Sequence, residues 1–387
     1  MSLKGEPGEG IMKGICALLI DRTIILAAIV LCAVSSDVFS QTVIENPGVP
    51  VSKTAGRTIA LKEILKITDE NGEFFFKSPS SMKEGPDGSL YLRDNEQILR
   101  FDKNGKFVRN YFKKGQGPGE MTYAIGLFPT QAGLCVQASG PQKLVWFDDA
   151  GKLLKEPSVR PKGRMSMNLL GILDAKYIFS GTEFPRISGE PQYVDNPYSL
   201  LAWTEGSDEP KVLSAFPVNS YIVTSGSGGG GMMSIASFMA VPFGSKSFVV
   251  VHTCEYLVKL FDLESNSIVR AMTRKYERVE PPPPTAEDKK PIMIINNKQI
   301  MYPRQKYLND ISNVIARGDK IWVVTSTKDP KNGKLIDVFD AAGKYVDAFF
   351  LNIPTGQYAI FGKNLYTAEK LPDETYVIKK YSIEWRE

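Results

Sequence analysis

Histidine is the scarcest chemically active residue in this sequence. The chain of 387 residues contains only one, His252. A zinc site of three histidines is therefore excluded, and a Ser-His-Asp triad would have to use His252. No Gly-x-Ser-x-Gly motif, which presents the nucleophilic serine of many hydrolases, accompanies it. We interpret His252 as a residue at the end of a strand, and we expect no catalytic residue.

Carboxylates are the other candidates for chemistry. Asp94, Asn95 and Glu96 follow one apolar run, and Glu255 follows another. Calcium needs several such oxygens that converge from different parts of the chain. An Asp-Asn pair after a strand usually forms a turn instead. We favour the turn and expect no metal or other cofactor, with a calcium ion at these carboxylates as the alternative.

Three segments of unusual composition interrupt the chain. Gly115–Glu120 resembles a phosphate loop in composition, but it lacks the Lys-Ser/Thr ending and no helical pattern follows it. We predict a rigid turn there. Ser225–Gly231 predicts a flexible loop, and four prolines at Pro281–Pro284 predict a stiff polyproline segment.

Short strands are the elements that must position these residues. From about residue 57 onward, β-branched and aromatic runs alternate with Gly, Asp and Asn turns, and helical periodicity is nearly absent. A motif of the form Phe-Asp-x-x-Gly-Lys recurs between two such runs, where Asp and Gly supply the turn geometry. Its complete and degenerate copies centre on Phe101, Phe147, Trp203, Phe261, Phe339 and Tyr381.

Six units of four short strands predict an all-β fold, a six-bladed β-propeller with four-stranded antiparallel blades. The last unit is incomplete, because only six residues follow Tyr381. A spare strand pattern lies near the other end, at Thr58–Leu65. We predict that this N-terminal strand pairs into the last blade, which would close the ring and remove a free sheet edge.

The first unit resembles a known repeat. Gly88–Arg109 (GSLYLRDNEQILRFDKNGKFVR) is similar to an NHL repeat, and is one residue short of the usual form. The segment Lys114–Glu120 resembles the Gly-x-Gly-Pro-Gly-Glu loop of bacterial exported six-bladed propellers. The resemblance implies the propeller fold. The amidating-lyase type of NHL propeller, with its three-histidine zinc site, is excluded by the histidine count.

The N-terminus is separate from the repeats. Lys13 and Arg22 precede an apolar run, Thr23–Val34, and small and polar residues follow, an order typical of a signal peptide cleaved after Ser40. We predict a signal peptide over 1–40, a linker over 41–56 and one propeller domain over 57–387. An uncleaved membrane anchor is the alternative for the first segment. We expect the protein to be secreted or periplasmic.

The cysteine count bears on disulfide bonding, and the net charge bears on the kind of partner. Only Cys135 and Cys254 lie beyond the leader, and two unpaired thiols are the favoured interpretation. A formal net charge of +4 is mild for this length, so we expect no nucleic-acid partner. A membrane would be contacted only through an uncleaved N-terminal segment.

Insertions point to one face of the predicted propeller. The long ones, Gly181–Pro197, Pro217–Ile235 and Lys275–Asn309, join strands two and three of a blade or one blade to the next. Both kinds of connection lie on the same face, and loops on a rigid scaffold are where binding sites usually form. We refer to it as the elaborated face.

These insertions favour a non-catalytic binding or scaffold protein over an enzyme. Its ligand would be a peptide, a glycan or a protein bound on the elaborated face. The alternative is a metal-dependent hydrolase, since lactonase-type six-bladed propellers hold a divalent cation with Glu, Asn and Asp at the channel mouth. The candidate ligand-binding residues, chosen by polarity and predicted loop position, are Arg93, Asp94, His252, Tyr302 and Arg304.

Overall fold

The computed structural model describes residues 43–69, 72–139, 142–160, 165–173, 175–183, 192–224, 230–285, 293–295, 298–301 and 303–384. The predicted signal peptide lies outside these residues. The described residues form 29 β-strands and no helix. In this part of the chain no helix long and apolar enough to cross a membrane is present.

Strands follow one another around a ring of six blades, as the repeat predicts. Blade one contains β4–β7, blade two β8–β11, blade three β12–β16, blade four β17–β20, blade five β23–β26, and blade six β27–β29. The strand bounds are β1 Val43–Asn46, β2 Arg57–Ile59, β3 Leu61–Ile67, β4 Pro79–Glu84, β5 Leu90–Asp94, β6 Ile98–Phe101, β7 Phe107–Asn110, β8 Tyr123–Thr130, β9 Gly133–Ser139, β10 Lys143–Phe147, β11 Leu153–Lys155, β12 Met165–Leu173, β13 Lys176–Glu183, β14 Gln192–Trp203, β15 Lys211–Thr224, β16 Gly230–Ser234, β17 Phe238–Phe243, β18 Ser247–His252, β19 Val258–Asp262, β20 Ser267–Arg274, β21 Met293–Ile295, β22 Lys298–Ile300, β23 Ile311–Arg317, β24 Lys320–Asp329, β25 Gly333–Asp340, β26 Tyr345–Leu351, β27 Tyr358–Phe361, β28 Asn364–Lys370 and β29 Tyr376–Ile383.

Apolar clusters hold neighbouring blades together. Each of the six clusters contains residues of two adjacent blades, so the core is a ring of interfaces between sheets. The aromatic residue that marks each repeat lies in the third strand of its blade and is at most 8% exposed. The repeat is therefore visible in the sequence because its aromatic residue is needed at every blade interface.

The Phe-Asp-x-x-Gly-Lys motif forms the turn between the third and fourth strands. In blade one, Asp102 Oδ1 accepts hydrogen bonds from the backbone N–H groups of Asn104 and Lys106, both at 2.9 Å. Gly105 has φ +84°, a conformation that glycine adopts without strain. Asp148 and Asp340 accept the equivalent bond in blades two and five. The motif is confirmed as a turn.

Residues 43–67, the N-terminal strap, run along three successive blades. Strand β1 pairs in parallel with β20 of blade four, β2 in parallel with β26 of blade five, and β3 antiparallel with β29 as the outer strand of blade six. The predicted closure of the last blade is therefore confirmed, with its strand at Leu61–Ile67. The segment predicted as a linker, 41–56, contains β1, and the pairing of β1 and β2 was not predicted.

Arg57 fixes the strap to blade five. Its guanidinium donates to both oxygens of Asp347, over 2.9 and 2.7 Å. Burial alone would raise the pKa of Asp347, but the hydrogen bonds and charge of Arg57 outweigh it and hold the pKa below its usual value. The pair therefore stabilises the strap above the ordinary carboxyl pKa, and this stabilisation is lost as the pH falls through the lowered pKa of the folded protein.

Replacing this arginine should loosen the strap locally. We expect Arg57→Gln to cost about 1–3 kcal/mol, because one charged bidentate contact is lost. Amide hydrogen exchange of residues 51–59 should rise, while the blade interiors remain protected. Lys53→Gln removes the same charge from an exposed strap position and should leave exchange unchanged. Equal exchange in both variants would show that the ion pair does not hold the strap.

A buried ion pair joins blades four and five. Arg274, at the end of β20, donates to Asp337 of β25 through Nε at 2.8 Å and Nη2 at 2.7 Å. The Asp337 side chain is fully buried and also accepts from the hydroxyls of Tyr256 and Tyr345. The guanidinium lies 5.0–5.3 Å from the ring centroids of Tyr256, Tyr276 and Tyr345. Every polar group of this cluster therefore has a partner inside the fold.

The Gly115–Glu120 segment is a tight connection between blades one and two. The N–H of Gly117 donates to Glu120 Oε2 at 2.9 Å, and the N–H of Gly119 donates to Glu156 Oε2 at 2.7 Å. Lys143, which is 4% exposed, pairs with the other oxygen of Glu156. The amides of the loop thus bind carboxylates of the protein itself, as expected of a rigid turn.

Candidate functional site

An open cleft of about 540 Å³ lies where the insertions of blades three to five meet. Its first wall comes from blade three, its floor from the connections that flank blade four, and its second wall from the insertion between blades four and five. We call it the blade 3–5 cleft. Its lining residues are Tyr193, Asn219, Ile235, Cys254, Arg278, Pro303, Arg304, Gln305, Lys306 and Tyr307.

The first wall is an extension of blade three. Strands β14 and β15 have 12 and 14 residues. They pair with each other along residues 192–197, the part of β14 that does not pair with β13. Two insertions predicted as loops are thus partly strand, and β16 adds a third strand to the extension. Tyr193 and Tyr221 face each other across it, with ring centroids 5.1 Å apart. Half of Tyr193 remains exposed toward the cleft.

The second wall carries the cations. Arg278 Nε donates to Asp310 at 2.8 Å and Nη2 donates to the carbonyl of Cys254 at 2.9 Å. The ring of Tyr307 lies 4.7 Å from the Arg278 guanidinium and 5.1 Å from Lys306 Nζ. The Tyr307 ring therefore makes cation–π contacts with both Arg278 and Lys306.

Arg304 lies on the same wall with a different kind of partner. Its Nη2 donates to the carbonyl of Pro282 at 2.6 Å, which ties residues 303–307 to the polyproline segment. Asp310 is the carboxylate bound by Arg278, whereas the contacts described for Arg304 and Lys306 are to a carbonyl and a ring. The ten lining residues include three cations and no carboxylate. This composition favours an anionic ligand.

Cys254 lies on the floor, and burial raises the pKa of its thiol, with the negative charge of Glu255 adding to the shift. It is partly accessible, whereas Cys135 is fully buried, and both are free. Unpaired thiols were the favoured interpretation of the sequence. Cys254 therefore offers a chemical reporter inside the cleft.

His252 packs beneath this floor. Its ring lies about 6 Å from the rings of Phe216 and Phe238, with centroid separations of 6.1 and 5.9 Å. Nδ1 lies 3.6 Å from Glu255, and the interaction with His252 lowers the pKa of that carboxyl. Nε2 is buried without a hydrogen-bond partner in the described part of the chain. His252 is at the end of β18, where the sequence places it.

Arg93 and Asp94 lie on blade one, away from the cleft lining. Arg93 donates to the carbonyl of Ala124 at 2.8 Å and lies over the ring of Tyr123, which joins blades one and two. Asp94 is fully buried and accepts the N–H groups of Lys77 and Ser78 at 2.7 and 2.5 Å. Burial raises the pKa of Asp94, and these two N–H groups oppose the shift.

Of the four predicted binding residues that the structure describes, Arg304 alone lines the cleft. Tyr302 lies outside the described residues. Tyr193, Asn219 and Tyr307 were not predicted, because nothing in the sequence near them marks a site and only the fold brings them together.

The candidate metal ligands serve other partners. Asn95 has φ +51° in the turn after β5, and Glu96 pairs with Lys114 at 2.6 Å. Glu255 is held by His252. Within the described ranges, no three side chains of the His, Cys, Asp and Glu types converge as a metal site would require.

Comparison with known proteins adds evidence for the fold. No family model matches the chain, and no curated protein matches its sequence. A solved structure of a presumed exported protein from Bacteroides fragilis aligns with a TM-score of 0.53 at 13% identity, over 89% of this chain and 100% of that one. At such identity the likeness is one of fold. The NHL resemblance stays a prediction, because no family match supports it.

Two further propellers align more loosely. A gluconolactonase from Xanthomonas campestris gives a TM-score of 0.43 at 11% identity, covering 86% of this chain and 98% of that one. The Swd1 propeller domain of Myceliophthora thermophila gives 0.39 at 12% identity, covering 84% and 100%. The likeness to the protein from Bacteroides fragilis is one of fold and specifies no function for this chain.

Proposed function

We propose that this protein is a non-catalytic binding propeller that holds a polymeric ligand in the blade 3–5 cleft. The observation that carries the proposal is the cleft itself, which is assembled from three separate insertions on one face of a rigid ring. Its lining combines guanidinium, ammonium, amide and phenol groups, which bind by charge and hydrogen bonding. Its wide opening suits a chain that lies across the face.

Location outside the cytoplasm is part of the same proposal. The leader-like sequence over 1–40 supports export, and a protein of similar fold from Bacteroides fragilis is described as a presumed exported protein. A secreted or periplasmic binding protein would meet envelope or extracellular polymers as its ligands.

A metal-dependent hydrolase remains the alternative. It would have to use carboxylates that, in the described chain, serve backbone amides, Lys114 and His252. Metal analysis of the purified protein tests it directly. A stoichiometric divalent ion whose removal abolishes hydrolysis of a lactone would favour that function over binding.

The test of the proposed function uses two positions on one strand. Asn219 and Val212 both lie on β15 and both are exposed, but only Asn219 lines the cleft. The full chain is screened for binding to an immobilised panel of neutral, uronate-bearing and sulfated polysaccharides and of acidic and basic peptides. We expect Asn219→Trp, which fills the cleft, to abolish the binding that Val212→Trp retains.

Protection of Cys254 gives an independent readout. Alkylation of this thiol, followed by peptide mass spectrometry, should slow when a bound panel member covers the cleft. Because its pKa is raised, the reaction is best followed above neutral pH. The proposed function would be overturned if no panel member bound. It would also be overturned if binding neither decreased in Asn219→Trp nor slowed the alkylation of Cys254.

A further inference from the structure

We infer that the blade 3–5 cleft recognises an anionic polysaccharide, a glycan chain that carries carboxylate or sulfate groups. This inference rests on the proposed function and deepens it by naming the class of ligand. It depends on three features of the cleft: its charge, its backbone and its aromatic wall.

Charge is the first feature. Arg278, Arg304 and Lys306 stand on one wall, and none of the ten described lining residues is acidic. Asp310, whose side chain is 6% exposed, forms an ion pair with Arg278 and offsets its charge. Glu255 follows Cys254 in the chain and is directed to His252. Asp195, which is exposed on β14, accepts a hydrogen bond from Nδ2 of the lining residue Asn219 at 3.1 Å. Arg304 and Lys306 present positive charge to the cleft from the other wall, where a bound anion would form charge-assisted hydrogen bonds.

The second feature is that backbone groups on the floor of the cleft already form hydrogen bonds. The N–H of Ile235 donates to the carbonyl of Asn219 at 3.0 Å, and the carbonyl of Ile235 accepts from Gln305 Nε2 at 3.0 Å. The carbonyl of Cys254 accepts from Arg278. A bound peptide strand usually pairs with free backbone groups of its host. These backbone groups of the floor already have hydrogen-bond partners within the protein. A ligand must therefore be recognised by side chains, which suits the carboxylates and hydroxyls of a glycan better than a peptide backbone.

Tyr193 is the third feature. Its ring stands on the blade-three extension opposite the cations, and Tyr221 supports it across the strand pair. A half-exposed tyrosine offers an apolar face together with a hydroxyl that stays hydrated. A sugar ring has the matching character, with apolar C–H faces and a polar rim. In the inferred complex one sugar residue packs on Tyr193, and charged groups of the same chain reach Arg304 and Lys306, which line the same cleft.

The test compares polymers that differ in charge alone. Oligogalacturonate and its fully methyl-esterified form have the same backbone, and alginate and dextran sulfate extend the comparison to another uronate and to sulfate. We expect the full chain to bind at least one of the charged polymers and to bind the esterified form at least about tenfold more weakly, since one charged contact is worth a factor of ten or more. Raising the salt concentration should weaken binding by screening.

Matched variants locate the charge requirement. Arg304→Gln with Lys306→Gln should lower affinity about 10- to 100-fold. Lys152→Gln with Lys211→Gln removes the same charge from exposed positions outside the cleft and should change little. Tyr193→Leu should weaken binding of charged polymers without changing its dependence on salt.

Each outcome separates this inference from the proposed function. Binding of neutral glycans or of polyglutamate in the cleft, reported by protection of Cys254, with no binding of charged polysaccharides, would overturn the ligand class and leave the binding function standing. Charged polysaccharides that bind equally well to the Gln variants would also overturn it. If no polymer protects Cys254, the proposed function fails as well.

Discussion

Removal of β3 should unfold the propeller, whereas removal of β1 and β2 should leave it folded. Strand β3 is the outer strand of blade six and pairs Leu61–Ile67 with β29. Ile67 is 4% exposed, and Leu61 and Leu65 pack against the clusters on either side of blade six. Losing these contacts together with the strand pairing should cost about 5 kcal/mol or more. Domains are stable by about 5–15 kcal/mol, so the loss removes much of the total.

The experiment compares two internal deletions. Deleting residues 43–67 removes the whole strap, and deleting 43–59 removes β1 and β2 but keeps β3. Denaturant unfolding followed by tryptophan fluorescence should show a fall in the midpoint for both deletions, because the second also loses Arg57 and the buried Ile59, and a much larger fall for the first. Equal midpoints would contradict the special role of β3 in closing the ring.

Breaking the buried ion pair should have the second largest effect. Asp337→Ala leaves Arg274 in a site where its side chain is 7% exposed, without the carboxylate that neutralises it. An uncompensated buried charge typically costs about 3–5 kcal/mol. The hydroxyls of Tyr256 and Tyr345 lose their acceptor in the same step. The interface between blades four and five should therefore weaken most.

An exposed ion pair provides the control. Lys246 and Glu264 are 53% and 66% exposed, and Glu264→Ala should cost at most about 1 kcal/mol. The double variant Arg274→Met with Asp337→Leu removes the unpaired charge and should recover that part of the loss, whereas the part due to the hydroxyls of Tyr256 and Tyr345 remains. The measurement is the free energy of unfolding, compared among Asp337→Ala, Glu264→Ala and the double variant. A small loss in Asp337→Ala would mean that Arg274 finds water or another acceptor.

The fold could be predicted because its signals are local and repeated. In blades one, two and five the turn uses an aspartate that accepts backbone N–H groups and a glycine in a left-handed conformation, so both residues recur there at fixed spacing. The closing strand was predicted because the last blade lacked one. Strand β1, only four residues long, was not predicted. Thr58 and Ile59 of the three-residue β2 were predicted as part of the closing strand, but they pair with blade five instead.

The site was predicted less well, because its residues are brought together only by the ring. Tyr193 and Tyr307 come from different insertions, Cys254 comes from the short connection between β18 and β19, and no spacing in the sequence relates the three residues. Polarity and position selected Arg93 and Asp94 as ligand-binding candidates. The structure shows both engaged in contacts that hold blade one and its neighbour, Arg93 with Ala124 and Asp94 with Lys77 and Ser78. The sequence does not show these contacts, and the assignment of both residues as ligand-binding stays a prediction.

The strap also sets the order in which the molecule can be completed. Strand β3 is near the start of the described chain, yet Ile67 pairs with Ile378, close to its end. Contacts between such distant segments are slow to form, because a long loop must close first. A chain emerging from the ribosome therefore carries an unpaired β3 until its last strands have been made. The ring can therefore close only after β29 has been made.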